Sequence, residues 1–278
     1  MSFTLANGIQ LPKVGFGTYK ALDQENIQVL LDAFASGYTY FDSASFYGTE
    51  CFLAEAMQKG KIDREKVMLA SKVWKNEMGY EATKQAFQNT LNRLRTDYLD
   101  VYLIHWPRPT LSCDWKTLVL ETWQAMEELY DEGRVRAIGV SNFLPQHLEV
   151  LRASSRIQPM IDQLEFHPGY TQEACVQYCK QHHIQVQAWS PIGRARVLQE
   201  PLICELAEKY QVFPAQICLR FALQKGVMPL PKSSSLERMK QNRTLNFTIS
   251  QEDMYRLDTL PQTGWSGEHP DFERVQVK

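Results

Sequence analysis

The chain has 278 residues, 44% hydrophobic and 22% charged, which is the profile of a folded globule and excludes a disordered chain. Thirty Lys and Arg against 32 Asp and Glu leave a formal net charge of −2, which excludes a global basic field for nucleic acid but leaves room for a local patch gripping one phosphate. No apolar run approaches the ~18 residues of a membrane span, and the start MSFTLANGIQ lacks the basic and apolar regions of a secretion signal, so a cytoplasmic protein is expected.

In chain order, Asn7-Gly8 comes first, a turn pair between two short extended runs and therefore a hairpin over residues 1–12. A β-rich run, VGFGT at 14–18, follows, then a helix that Asp23 can cap and Gly37 closes. YTYFD at 38–42 leads to a helix between Thr49 and Gly60. VMLASKV at 67–73 leads to a helix over 81–95, with Ala82, Ala86, Leu91 and Leu94 at roughly helical spacing. LDVYLIHW at 99–106 precedes a helix ending at Tyr130 and Gly133, and VRAIGVS at 135–141 one whose first turn holds Pro145. MIDQLEF at 160–166 precedes a helix ending at His182 and His183, on which Cys175 and Cys179 share a face. QVQAWSP at 185–191 and VMPLPKS at 227–233 complete the series, and the long gap 192–226 holds an additional helix.

Eight runs about thirty residues apart match the length of one strand–helix unit each. The runs are near-continuously apolar rather than alternating, as in parallel strands covered on both faces. The expectation is an α/β fold, a (β/α)8 barrel with the hairpin plugging its N-terminal end. One domain spans 1–278, with a tail over 261–278. The six cysteines (Cys51, Cys113, Cys175, Cys179, Cys204, Cys218) form no CxxC and read as reduced, mostly packed thiols.

In such a barrel the chemistry sits where the strands end. Asp42 ends the second run and Tyr47 follows it; Lys72 lies near the end of the third and His105 near the end of the fourth. Ser141 and Asn142 end the fifth, Gln163 lies in the sixth, Trp189 and Ser190 end the seventh, and Lys232 ends the eighth. Singly, each has a bland reading: a turn aspartate, a surface lysine, a core histidine. Charged and amide groups inside apolar strands are costly unless paired, and their lining up at one end is hard to account for as packing. A tyrosine is a poor proton donor near neutral pH, a nearby ammonium is expected to lower its pKa, an aspartate holds that ammonium, and a histidine orients a substrate oxygen. This set suits proton transfer to a carbonyl oxygen. Reduction also needs a hydride, which no side chain supplies, so a cofactor is implied. Lys232 and Arg238 are two cations suited to a phosphate monoester, a group NADPH has and NADH lacks.

At these residues the chain resembles the aldo-keto reductases. GYTYFDSASFYGTE at 37–50, VRAIGVSNF at 135–143 and LPKSSSLERMKQN at 230–242 carry the likeness, with SKVW at 71–74 and LIHWP at 103–107 in fitting positions. It extends over about residues 8–270 and is nearest to short-loop, bacterial-type members of the diketo-gluconate reductase and prostaglandin F synthase kind. The resemblance implies that Tyr47 is the general acid, supported by Lys72 and Asp42, with His105 orienting the substrate. It places the nicotinamide carboxamide against Ser141, Asn142 and Gln163 and its ring against Trp189. Asp42, Thr18, Ser190 and Ile192 would line the cofactor's path, Lys232, Ser233 and Arg238 would hold the 2′-phosphate of NADPH/NADP+, and Gln241 and Asn242 would reach the adenine. Thr39, Ala54 and Trp189 depart from the family's usual arginine, glycine and tyrosine.

Tyr19, Phe46, Trp74, His105 and Trp106 are expected to form an aromatic substrate pocket, left open by a short segment after His105 and a brief tail, with Trp265 leaning over it. The expected function is NADPH-dependent reduction of aldehydes, and of ketones as a second class, by a monomer acting on small molecules, with no metal, nucleic-acid or membrane partner. An NADPH-binding sensor barrel with little turnover is the alternative. A Rossmann dehydrogenase is disfavoured because Lys20 occupies the third glycine position after Gly15 and Gly17. A metal-dependent hydrolase is disfavoured because His105 alone among six histidines is well placed.

Overall fold

A computed structural model describes residues 2–21 and 26–275. A hairpin of β1 (Phe3–Thr4) and β2 (Gln10–Leu11) pairs Phe3 with Leu11. The eight following strands are β3 (Phe16–Gly17), β4 (Tyr40–Asp42), β5 (Met68–Val73), β6 (Leu99–Ile104), β7 (Val135–Ser141), β8 (Ile161–Glu165), β9 (Gln185–Trp189) and β10 (Met228–Pro229). Each lies parallel beside its neighbour in sequence.

The intervening helices are α1 (Gln28–Ala35), α2 (Glu50–Lys59), α3 (Tyr80–Leu94), α4 (Trp115–Asp131), α5 (Pro145–Ser154) and α6 (Glu173–Gln181). The long gap holds two helices, α7 (Pro201–Tyr210) and α8 (Pro214–Gln224), and α9 (Leu236–Arg243) and α10 (Gln251–Asp258) follow β10. The expected cap Asp23 lies outside the described residues.

The sheet curls into the expected barrel. Gly15 N–H donates to the Pro229 carbonyl at 3.1 Å and Gly17 N–H to Pro231 at 3.2 Å, joining the first strand to the last. The prolines lack donors but keep acceptors, so the seam carries few ladder bonds and both strands are shorter than their apolar runs. Glycine is required here, because a Cβ on Gly15 would lie 2.6 Å from Leu230 Cδ2. Every residue of β6 and β8 is buried, as expected of strands covered by helices. The hairpin contributes Phe3 and Leu11 to the core, while Asn7 Nδ2 donates to the Arg136 carbonyl at 2.9 Å, at the start of β7. It therefore sits at the N-terminal end of the strands and leaves the opposite rim free.

Candidate active site

At the C-terminal ends of the strands lies a cavity of about 750 Å³. Asp42 closes β4, and a single helical turn over Ser45–Tyr47 brings Tyr47 back over the barrel mouth. Lys72, in β5, is fully buried. Its Nζ donates to Asp42 Oδ1 at 2.7 Å, to the Ser43 carbonyl at 2.8 Å and to the Tyr47 hydroxyl at 3.3 Å. All three ammonium protons are engaged, which fixes the charge in place. Asp42 Oδ1 also accepts from Gln163 Nε2 at 2.8 Å. His105, just past β6, brings Nε2 to 3.5 Å from the Tyr47 hydroxyl and packs edge-on against Trp74. The four residues named from sequence therefore converge.

Their electrostatics differ from the expectation in one respect. Burial, reinforced by the Asp42 carboxylate and then by Tyr19 and Glu268, pushes the Tyr47 phenol well above its ordinary value. The expected lowering is therefore not what the surroundings favour: desolvation of the phenolate is the largest influence, and the opposing charge is that of Arg194. Burial also lowers Lys72, while Asp42 opposes that shift. His105 is held well below the ordinary imidazole value by burial and then by the charges of Lys72 and Lys75, so it is neutral.

One arm of the cavity carries amide and hydroxyl groups. Gln163 gives both Nε2 protons away, to Asp42 and to Gln187 Oε1 at 3.1 Å, leaving its Oε1 as an acceptor. Ser141 Oγ donates to the Gln163 carbonyl at 2.8 Å, and Asn142 Nδ2 to the His105 carbonyl at 2.9 Å. Trp189 is pinned by its indole N–H, which donates to Asn142 Oδ1 at 2.8 Å. Ser190 and Ile192 continue this wall. At the far end Lys232, Ser233 and Arg238 line the cavity around the start of α9, whose N-cap Ser235 accepts from Arg238 N–H, and Gln241 and Asn242 follow on the helix. Thr18 lies behind the wall, its hydroxyl donating to the Asp42 carbonyl at 2.9 Å.

The other arm is aromatic. Phe46 stacks on Trp74 at 3.9 Å and Tyr19 tilts against Tyr47 at 4.9 Å, with Trp106 beside them on the wall. Phe46 is 52% and Tyr19 41% exposed, so this mouth is open.

Sequence reasoning missed Arg194, Ala195 and Glu268, which also line the cavity. Arg194 Nη2 and Glu268 Oε1 pair at 3.2 Å, joining the loop after β9 to the C-terminal tail. Trp265, expected over the pocket, instead stacks on Tyr170, and Glu268 is the tail residue at the cavity. The tail is anchored by Ser266 on Glu165 at 2.7 Å and by Asp271 on His147 at 2.9 Å. One retrospective signal exists in the backbone: Lys20, Asn142, Ser190, Arg194 and Ala195 all have positive φ and all line the cavity, and such strain collects at functional sites. Among the described residues the only grouping with metal-ligand spacing is Asp162, Cys175 and Cys179, buried and off the cavity wall, where the Cys179 thiol lies 3.8 Å from Asp162 Oδ2.

Residues 13–261 match the model of the aldo/keto reductase family. The chain is 40% identical over 269 residues to a glyoxal reductase of Bacillus subtilis, covering 96% of this chain and 95% of that protein. It is 37% identical over 273 residues to the 9,11-endoperoxide prostaglandin H2 reductase of Trypanosoma cruzi, covering 96% and 94% of the two chains. Among solved structures, an aldo/keto reductase from Brucella melitensis superposes with a TM-score of 0.87 at 36% identity, covering 93% of this chain and 98% of that one.

Proposed function

This chain belongs to the aldo/keto reductase family and is an oxidoreductase of carbonyl chemistry, and from that premise we propose that it reduces aldehydes, and ketones as a second class, to alcohols with NADPH, Tyr47 giving the proton. The observation that carries this reading is the Lys72 ammonium shared between Asp42, Ser43 and the Tyr47 hydroxyl at the barrel rim.

The donor set fits a nicotinamide dinucleotide phosphate. Gln163 Oε1, Ser141 and Asn142 suit a carboxamide, Trp189 presents a flat face held by its bond to Asn142, and Lys232 with Arg238 suits a phosphate monoester. When bound there, the reduced nicotinamide supplies a hydride to the carbonyl carbon. Tyr47, kept protonated by its burial, donates to the carbonyl oxygen. Lys72 stabilises the phenolate left behind, and Asp42 keeps Lys72 charged and aimed. His105 Nδ1 is buried without a partner among the described residues, so the single imidazole proton belongs on Nε2, where it faces Tyr47 and orients the substrate oxygen.

The test is the loss of NADPH absorbance on adding benzaldehyde. Consumption is expected, and its absence across a wide carbonyl panel would leave a dinucleotide-binding sensor instead. For the cofactor, Lys232→Met is expected to raise KM for NADPH about tenfold with NADH little changed. Undiminished preference for NADPH in that variant would remove Lys232 from the phosphate site.

A further inference from the structure

Lys75 stands outside the machinery described above, not on the cavity wall itself but against two of the rings that form its aromatic arm. It opens the short helical turn Lys75–Glu77 that follows Trp74, and it is only partly exposed. Its Nζ lies 5.1 Å from the Trp106 ring centre and 5.9 Å from that of Trp74, two rings of the substrate wall. Among the described residues it forms no ion pair with a carboxylate. The neighbouring Glu77 is committed elsewhere, accepting from Ser45 Oγ at 2.5 Å and from Trp74 N–H at 2.8 Å. The Lys75 charge is nevertheless felt at His105.

A half-buried ammonium resting only on aromatic faces is weakly compensated. The carboxylate that could balance it at this mouth is Glu268, whose field reaches Lys75. Glu268 is already engaged by two guanidinium groups, Arg194 at 3.2 Å and Arg274 at 4.0 Å. The mouth is therefore positive, with two lysines that form no ion pair with a carboxylate among the described residues: Lys20, which lines the cavity and lies over Tyr19 at 5.4 Å, and Lys75, which sits just behind the wall against Trp106 and Trp74.

We propose that Lys75 is a specificity-determining residue and that the preferred substrates are carbonyl compounds bearing an anionic group, a carboxylate or phosphate, beyond the body that packs on Trp74 and Trp106. This rests on the reductase reading above and narrows its substrate class. An anion at the mouth gains Coulomb energy from Lys75 that a neutral isostere does not, and a cationic analogue is repelled. The gain enters through binding rather than the chemical step, because the charge lies away from the reacting carbonyl.

The experiment compares para-formylbenzoate, its methyl ester, para-formylphenyl phosphate and para-formyl-trimethylanilinium as substrates with NADPH. Wild type is expected to favour the benzoate over its ester about fivefold in kcat/KM, mainly through KM, with the cation poorest and the preference shrinking as salt is raised. Lys75→Met should abolish the preference while keeping turnover of the neutral ester, and Lys75→Arg should restore it. Preference for phosphate over carboxylate would assign the phosphate as the anion. The proposal is overturned if wild type treats ester and benzoate alike, if it favours the cation, or if Lys75→Met keeps the preference. Failure of every aldehyde, the neutral ester included, to consume NADPH would instead reject the underlying reductase reading.

Discussion

In the proposed mechanism Tyr47 can donate a proton because it stays protonated, and its surroundings explain why. Burial disfavours the phenolate, Asp42, Tyr19 and Glu268 add to that, and Arg194 opposes it, while Lys72 holds the hydroxyl at 3.3 Å. His105 is held neutral by the same burial and by two lysine charges. The consequence is a pH profile for reduction that is flat around neutrality. His105 titrates well below its ordinary value of 6.5 and Tyr47 well above 10.0, so neither should put a step in kcat near neutral pH, and the alkaline loss should be set by Lys72, which burial lowers. A step near pH 6.5 would mean that His105 titrates normally. The Asp42–Lys72 pair gives a second prediction. Lys72→Met leaves the Asp42 carboxylate buried without its cation and should cost about 3 kcal/mol of stability. Adding Asp42→Asn should recover part of that loss, which denaturant unfolding of the single and double variants would show. All four of these residues were legible in the sequence, because polar groups ending apolar runs are conspicuous. The sign of the tyrosine shift was not legible, because it depends on how completely the fold excludes water from the phenol.

Among the elements, helix punctuation was the most readable feature. Glu50–Lys59 lies between Thr49 and Gly60, and Pro145 opens its helix. The additional helix in the gap after β9 was readable from the length of that gap, but the shortness of β3 and β10 was less readable, since it follows from seam pairing between segments more than two hundred residues apart. One element supplies a stability test. Asp253 in α10 is buried, and burial alone would raise its carboxyl. Bonds from Lys209, Tyr210 and Ser250 outweigh that and hold it at about 2, against an ordinary 3.8. A carboxyl depressed in the folded state contributes fully above about pH 4, and the contribution is lost as pH falls toward 2. Asp253→Asn should therefore cost about 2 kcal/mol at neutral pH and flatten the acid limb of the stability curve below about pH 4. An acid limb unchanged in thermal melts would show that this helix is docked by other contacts.

For the molecule as a whole, the order of eight strand–helix units was legible because each unit repeats the same local pattern at a near-constant spacing. What joins distant units was not. Arg194 and Glu268 meet across the cavity from segments with no shared motif, and the tail that carries Glu268 is anchored by Glu165 and His147, far from it in sequence. The amide arm, the aromatic arm and the buried ammonium between them become one site only when the barrel is closed. The most direct check of that assembly is a single-turnover comparison of wild type and Tyr47→Phe, each preloaded with NADPH and mixed with benzaldehyde. The phenylalanine variant should bind NADPH with nearly unchanged affinity, read by fluorescence, while reduction slows by at least about a hundredfold. Substantial turnover by Tyr47→Phe with the cofactor bound would contradict the assignment of the Tyr47 phenol as the proton donor.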